Sequence, residues 1–322
     1  MKILFTADWH IKLGQPKVPK EFQKNRFIML ANRLNEVYDQ YGCDLHIIGG
    51  DILDVADPTT EELELMYKCL EIMKHQMGVI YSGNHEMLSK TISCLYHLAD
   101  NISNATGYNW QVTKEYRGSH YDIIDYAGLH KKFKPEQANL CFTHVRGAIP
   151  PHVEWEVDPE AFANYSLVVC GDLHSYQNTQ QHQGLTFVYP GSPLTTSFHR
   201  NRTLKTNGAL IIDTVTLDYE WVDLSDLPQL IRKTVTSKEE MLADEYDRVI
   251  YEVEGNVEEL RSIKDSELLD KRLNTKISKD AVLDLTGLDV TEELAKFLKE
   301  VQGLDNDTVT RLVSTARKYL SV

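Results

Sequence analysis

Five short apolar runs, Lys2 to Ala7, Leu45 to Gly49, Val79 to Ser82, Leu140 to Thr143 and Leu167 to Cys170, have the length and continuity of strands buried on both faces of a sheet. Between the first two, Phe27, Leu30, Ala31, Leu34, Val37 and Tyr38 recur at helical spacing within Phe22 to Tyr41. Between the second and third, Thr59-Thr60-Glu61-Glu62 has the form of a capping box that opens another helix. Strand, helix, strand, helix, strand predicts a parallel βαβαβ unit and an α/β fold, in which ligands gather beyond the carboxyl ends of the strands. Thr186 to Ser192, Ala209 to Leu217 and Tyr219 to Asp223 read as later strands that complete the second sheet of a sandwich.

A boundary is expected near Asp226-Leu227-Pro228, which assigns residues 1–225 to the main domain. Beyond it the pattern predicts a strand (Lys233 to Thr236), a helix capped by Ser237 and Glu240, a strand (Arg248 to Val253), a helix from Val257 to Arg261 and a strand (Asn274 to Ser278). These make a small α+β module over residues 226–284. The tail, 285–322, holds two amphipathic helices, about Thr291 to Val301 and Thr308 to Leu320, joined at Gly303-Leu304-Asp305-Asn306. Their apolar stripes serve either to pack on each other or as a docking element.

At 322 residues the chain is too long for one small core, and a large domain with one or two small ones is expected. No apolar run approaches the roughly 20 residues of a membrane helix, so no membrane association is expected. Asp8 ends the opening apolar stretch too early for an export signal. Five widely spaced cysteines, an odd number with no Cys-x-x-Cys pair, point to a reducing cytoplasm rather than to disulfides or a zinc cluster. The net charge of −14 argues against holding nucleic acid by bulk electrostatics, so any grip on DNA is expected to be weak or shared with a partner.

Every one of the five runs ends in a polar cluster: Asp8-Trp9-His10, Gly49-Gly50-Asp51-Ile52-Leu53-Asp54, Gly83-Asn84-His85-Glu86, Thr143-His144-Val145 and Gly171-Asp172-Leu173-His174. Hard divalent cations take oxygen and imidazole ligands, and two of them about 3.5 to 4 Å apart clamp the attacking and leaving oxygens of a phosphoryl centre. Asp8 and His10 alternate at a strand end, so both point into one pocket. Gly49 and Gly50 allow a sharp turn that presents Asp51 as a bridging carboxylate. Asn84 offers a neutral oxygen, and His85 is placed to protonate a leaving group instead of ligating. His85 then needs a carboxylate partner, for which Asp54 is the candidate; Asp54 also fits a helix N-terminal carboxylate. Glu86 reads as a structural residue of a following helix. His144 and His174 supply the remaining imidazoles, whereas His46, His75, His97, His120, His130, His152 and His182 read as ordinary core or surface residues. His199, Arg200, Arg202 and Lys205 form a basic loop that either positions phosphates or is simply solvated.

Five such clusters in this order resemble the calcineurin-like metallophosphoesterases. Tyr189-Pro190-Gly191-Ser192-Pro193 after the last cluster is similar to the nuclease subunit of SbcCD-type double-strand-break repair complexes, a group that includes phage recombination nucleases. The likeness covers residues 1 to about 220. It implies that Asp8, His10, Asp51 and His174 hold one manganese ion, with magnesium as the alternative. Asp51, Asn84, His144 and Asp172 would hold the other, and His85 would act as general acid. Position 172 departs from the family, where histidine is usual; aspartate is an acceptable hard-cation ligand that adds a negative charge, or a shorter reach that loosens the second ion. The resemblance further implies exonuclease action on duplex ends and endonuclease action on single strands. A capping domain, an SbcC-like ABC ATPase with a coiled coil bound through the terminal helices, and a homodimer through Phe22 to Tyr41 and Thr60 to Lys74 complete its implications. The alternatives are a phosphodiesterase or phosphatase of another substrate class, and a scaffold subunit whose site is impaired at Asp172.

Overall fold

A computed structural model of the chain describes residues 1–131, 138–198, 206–235, 240–241, 244, 246–255, 260–261, 263–264, 268–273 and 288–320. The chain divides into two compact units, Met1–Val253 with Lys264–Asp270, and Glu254–Ile263 with Lys271–Val322. The predicted strand at 274–278, most of the predicted helix at 257–261, the Ser237 cap and the basic loop from His199 to Lys205 lie outside the described residues.

Two six-stranded sheets make up most of the first unit. In one, β1 (Lys2–Thr6), β2 (Leu45–Gly49) and β3 (Gly78–Tyr81) run parallel, with Trp110–Val112 beyond β3. In the other, β4 (Leu140–His144) and β5 (Leu167–Gly171) run parallel at the centre. Side chains alternate along each strand, so Ile3 and Phe5 of β1 meet Phe142 and Val169 from the facing sheet, while Leu4, Ile48 and Ile80 point outward. The outward residues are covered by Phe27, Leu30 and Leu34 of helix α1 (Lys20–Tyr41), Leu65 and Met66 of α2 (Thr60–Ile72) and Ile102 of α3 (Cys94–Ala105). Burying each such side chain contributes roughly 1.5–3 kcal/mol. The capping box of α2 is formed: the Thr59 hydroxyl oxygen accepts from the Glu62 N–H at 3.3 Å, and Glu62 Oε2 accepts from the Thr59 N–H at 2.9 Å.

The α/β sandwich flanked by helices is as expected, but its later strands pair differently. Gly208–Asp213 lies antiparallel against β1, with Tyr219–Asp223 beyond it, so both belong to the first sheet; Leu185–Val188 alone of the three later runs joins the second. An apolar run shows that a segment is extended and buried, but it does not name its neighbour. Leu230–Val235 pairs in parallel with residues 248–253 within the first unit. The Arg26 guanidinium, 1% exposed, pins α1 to this region by donating to the carbonyls of Pro228 (2.8 Å) and Thr195 (2.9 Å).

In the second unit α4 (Val290–Glu300) is capped by Asp289, whose carboxylate accepts from the N–H groups of Thr291 and Glu292, and Arg317 of α5 (Asn306–Leu320) donates to Thr291 Oγ1. Phe297, Val301 and Leu312 remain 42%, 48% and 39% exposed, so the apolar stripes are not fully spent on each other. All five cysteines are buried and free. No helix among the described residues is long and apolar enough to cross a membrane.

Candidate metal centre

The carboxyl ends of β1, β2, β3, β4 and β5 converge at one edge of the sandwich, where the parallel strands of the two sheets meet. The junction is drawn tight by three hydrogen bonds: the Tyr81 hydroxyl donates to the Thr143 carbonyl (2.9 Å), His144 Nδ1 donates to the Gly49 carbonyl (2.9 Å), and the Asp172 N–H donates to Asp8 Oδ1 (3.0 Å). Glycine is required on both flanks of the His144 ring. A Cβ on Gly50 or on Gly171 would lie 2.5 Å from His144 Nδ1, and Gly50 holds φ +88°.

Strain accumulates at the same place. Asp8, His10, Asp51 and Asp172 have φ of 58°, 50°, 53° and 94°, the left-handed region that side chains other than glycine rarely adopt. Each such residue costs of order 1–3 kcal/mol and persists where the surroundings over-determine it, often at functional sites. Here the chain turns at each strand end to aim its polar side chain inward.

Asp51 Oδ2 lies at the centre, 3.6 Å from His10 Nε2, 3.4 Å from His144 Nε2 and 4.0 Å from His85 Nε2. On one side of it His10 Nε2 and His174 Nε2 stand 3.1 Å apart, with Asp8 Oδ1 3.7 Å from His174 Nε2. On the other, His144 Nε2 is 3.0 Å from Asn84 Oδ1 and 3.9 Å from Asp172 Oδ1. Thus His10 and His174 lie with Asp8 on one side of Asp51, and Asn84, His144 and Asp172 on the other, with Asp8 also within reach of His144. Donor spacings of 3 to 4 Å suit ligands that each reach a shared ion at about 2.0–2.2 Å.

The electrostatics also call for cations. Burial, with Asp51 and Asp172 close by, pushes the Asp8 carboxyl well above its ordinary value against the pull of His144. Burial raises Asp172 as well, opposed by His144 and reinforced by Asp51 and Glu156. Burial would raise Asp51 too, but His144, His10 and His85 hold it well below the usual carboxylate range. Three carboxylates gathered out of water are costly unless compensated by positive charge. The residues therefore fit a pair of divalent ions.

His85 is held differently from expectation. Its Nδ1 donates to the backbone carbonyl of Asp54 at 2.6 Å, while the Asp54 carboxylate turns to Lys12 Nζ (2.7 Å) and His10 Nδ1 (3.4 Å). These contacts overcome burial and bring the Asp54 carboxyl down to about 2. Asp54 thus fixes His85 through its main chain and His10 through its side chain. Spacing along a short turn does not reveal which of its oxygens faces His85.

Glu86 is the structural residue expected, though not at a helix, and two further positions, Trp9 and Thr196, escape a reading of the sequence. Glu86 precedes no helix directly; fully buried, it accepts from the N–H groups of Gly83 (2.8 Å), Leu53 (2.9 Å) and Asp51 (3.0 Å), bracing both glycine turns. Burial and Asp51 raise it to about 7. A signal for it exists, since a carboxylate two residues past a strand-end Asn is placed to collect the N–H groups of the turn. Trp9, buried between Asp8 and His10, donates its indole N–H to Thr6 Oγ1 (3.1 Å). Thr196 Oγ1 lies 3.3 Å from His174 Nδ1, a contact from a distant loop with no sequence signature.

Residues 1–176 match the family model described as calcineurin-like phosphoesterase. The chain belongs to the calcineurin-like phosphoesterase family. It is 55% identical over 322 residues, 99% of each chain, to a probable exonuclease subunit 1 of Escherichia phage T5. It is also 30% identical over 90 residues, 27% of this chain and 23% of the relative, to the SbcD polypeptide of the nuclease SbcCD from Staphylococcus epidermidis. Among solved structures, the protein TT1561 of Thermus thermophilus is 13% identical with a TM-score of 0.42, covering 69% of this chain and 98% of that one. Membership of this family implies divalent metal ions, and the carboxylate and histidine groups described above are where the chain can take them.

Proposed function

We propose that the chain is the nuclease subunit of an SbcCD-like recombination and repair complex, a Mn2+-dependent hydrolase of DNA phosphodiesters that acts as an exonuclease on duplex ends and an endonuclease on single strands. The observation that carries this reading is the Asp51 carboxylate, shared between two ligand clusters with His85 standing beside it. Full-length similarity to a phage exonuclease subunit supports DNA as the substrate over other phosphoesters.

When bound, two divalent ions supply charge stabilisation at the phosphoryl group and activate the attacking water. Asp8, His10, Asp51 and His174 would hold one; Asp51, Asn84, His144 and Asp172 the other. His85, its Nδ1–H fixed on the Asp54 carbonyl, presents Nε2 to the pocket and in its protonated form gives that proton to the departing sugar oxygen. His144, with Nδ1–H committed to the Gly49 carbonyl, turns Nε2 toward Asp51 and Asn84 as a ligand.

In this reading residues 1–225 are the nuclease domain, 226–284 a capping domain that contacts DNA, and 285–322 the helix pair that binds an SbcC-like ABC ATPase with a coiled coil. The exposed Phe297, Val301 and Leu312 support a docking role. A homodimer belongs to the same assembly, which works in the cytoplasm of a bacterium or of a phage-infected bacterial host. A panel of linear duplex DNA, cyclic nucleotides and phosphomonoesters tests the substrate class. Hydrolysis selective for DNA is expected; selective hydrolysis of either of the others would overturn the proposal.

A further inference from the structure

Beside the metal centre, Met87, Ser89, Lys90, Tyr126 and His130 line a cavity of about 620 Å³ that the hydrolytic chemistry does not use. Both walls are tied by main-chain hydrogen bonds to the segment that carries Asn84 and His85. The Met87 N–H donates to the Asn84 carbonyl at 3.3 Å, and the Tyr126 N–H donates to the carbonyl of Ser82, two residues before Asn84, at 3.0 Å. The Tyr126 ring lies 6.3 Å from the His144 ring, so the cavity starts where the Asn84 and His144 cluster ends.

The two aromatic side chains are held in place. Tyr126 donates its hydroxyl hydrogen to Glu156 Oε1 at 2.6 Å, and the same oxygen lies 3.8 Å from His130 Nε2. Glu156 is itself fixed, its Oε2 accepting from the Arg146 N–H at 3.1 Å. The rings of Tyr126 and His130 meet at 77° with centroids 4.8 Å apart, which makes a corner against which one flat ring can lie. Met87 adds a polarizable thioether and Lys90 an exposed cation at the rim.

We propose that this cavity is a nucleobase subsite: it receives the base of the nucleotide whose phosphate sits at the Asn84 and His144 side of the centre, with Tyr126 as the stacking surface and Lys90 facing the neighbouring phosphate. A stacked base suits this lining because every base has a π-face, so the site grips DNA without demanding a sequence. It also gives an acidic protein a hold on its substrate that does not depend on bulk positive charge. The inference deepens the nuclease reading and rests on it for the occupant.

The test compares binding of dAMP and of deoxyribose 5-phosphate to the Mn2+-loaded full chain by calorimetry. Wild-type protein is expected to prefer dAMP about tenfold, Tyr126→Leu to lose that preference while holding deoxyribose 5-phosphate unchanged, and Tyr126→Phe to keep most of it. Should Tyr126→Leu fail to fold, Met87→Ala is expected to lower the preference severalfold. Equal binding of the two ligands by the wild type, or a preference untouched in Tyr126→Leu and Met87→Ala, would overturn the proposal. Base preference without hydrolysis of DNA would leave the subsite standing and remove the nuclease reading instead.

Discussion

His46 is the second residue of β2, with no exposed surface, and its two ring nitrogens are both used. Gln76 Nε2 donates to Asn35 Oδ1 at 2.7 Å, which leaves Gln76 Oε1 to accept from His46 Nδ1–H at 2.8 Å. His46 Nε2 then accepts from the Thr6 hydroxyl at 3.0 Å, and Thr6 in turn receives the Trp9 indole N–H. The chain holds Trp9, and with it the Asp8-Trp9-His10 turn, through a neutral imidazole. Burial lowers the His46 pKa to about 4, the Gln76 hydrogen bond opposing only part of that shift. Because the folded value is depressed, the unfolded chain takes up a proton first as pH falls, so stability is full above about 6.5 and declines toward 4, by roughly 3 kcal/mol if His46 alone is counted. Urea unfolding at several pH values is expected to show this slope in the wild type and a flatter one in His46→Gln; parallel slopes would contradict it. The sequence marks His46 only as an ordinary histidine, since the partners that neutralise it come from separate elements.

Five strand ends meet at one edge because β1, β2 and β3 run parallel in one sheet, β4 and β5 run parallel in the other, and the two sheets face each other through Phe5 and Phe142, whose ring centroids are 5.5 Å apart. His144, from one sheet, reaches between Gly50 and Gly171 to the main chain of the other. Gly171→Ala would place a Cβ 2.5 Å from His144 Nδ1 and 2.6 Å from the Gly49 carbonyl. It is expected to displace the ring and weaken binding of a second divalent ion about tenfold or more, with the circular dichroism spectrum retained. Unchanged two-ion binding by calorimetry would show that the seating of His144 is dispensable. At this scale much is legible in the sequence, because an apolar run that ends in Asp, Asn or His announces both its burial and its exit. Pairing is not: Gly208–Asp213 fits β1 by register, Ile3 opposite Ile212, which periodicity does not encode. Nor does spacing distinguish the carbonyl of Asp54 from its carboxylate.

A chain of net charge −14 that gathers the buried Asp8 and Asp51 beside the half-buried Asp172 is built around cations, and part of its acidity is offset once they bind. Outside the first unit, α4 and α5 expose Phe297 and Leu312, with Val301 at the end of α4. On the proposed docking role, deleting residues from 286 onward is expected to abolish co-purification with an SbcC-like ABC ATPase and to leave metal-dependent hydrolysis intact. Retained binding would remove the docking role. The central claim, that this centre cuts DNA with bound metal and a histidine acid, is tested most directly by nucleotide release from end-labelled linear duplex DNA in Mn2+. Release by the purified chain that vanishes with chelator and falls by about two or more orders of magnitude in His85→Ala is the predicted result. Release that persists undiminished in His85→Ala, or no release with metal and partner both present, would contradict it.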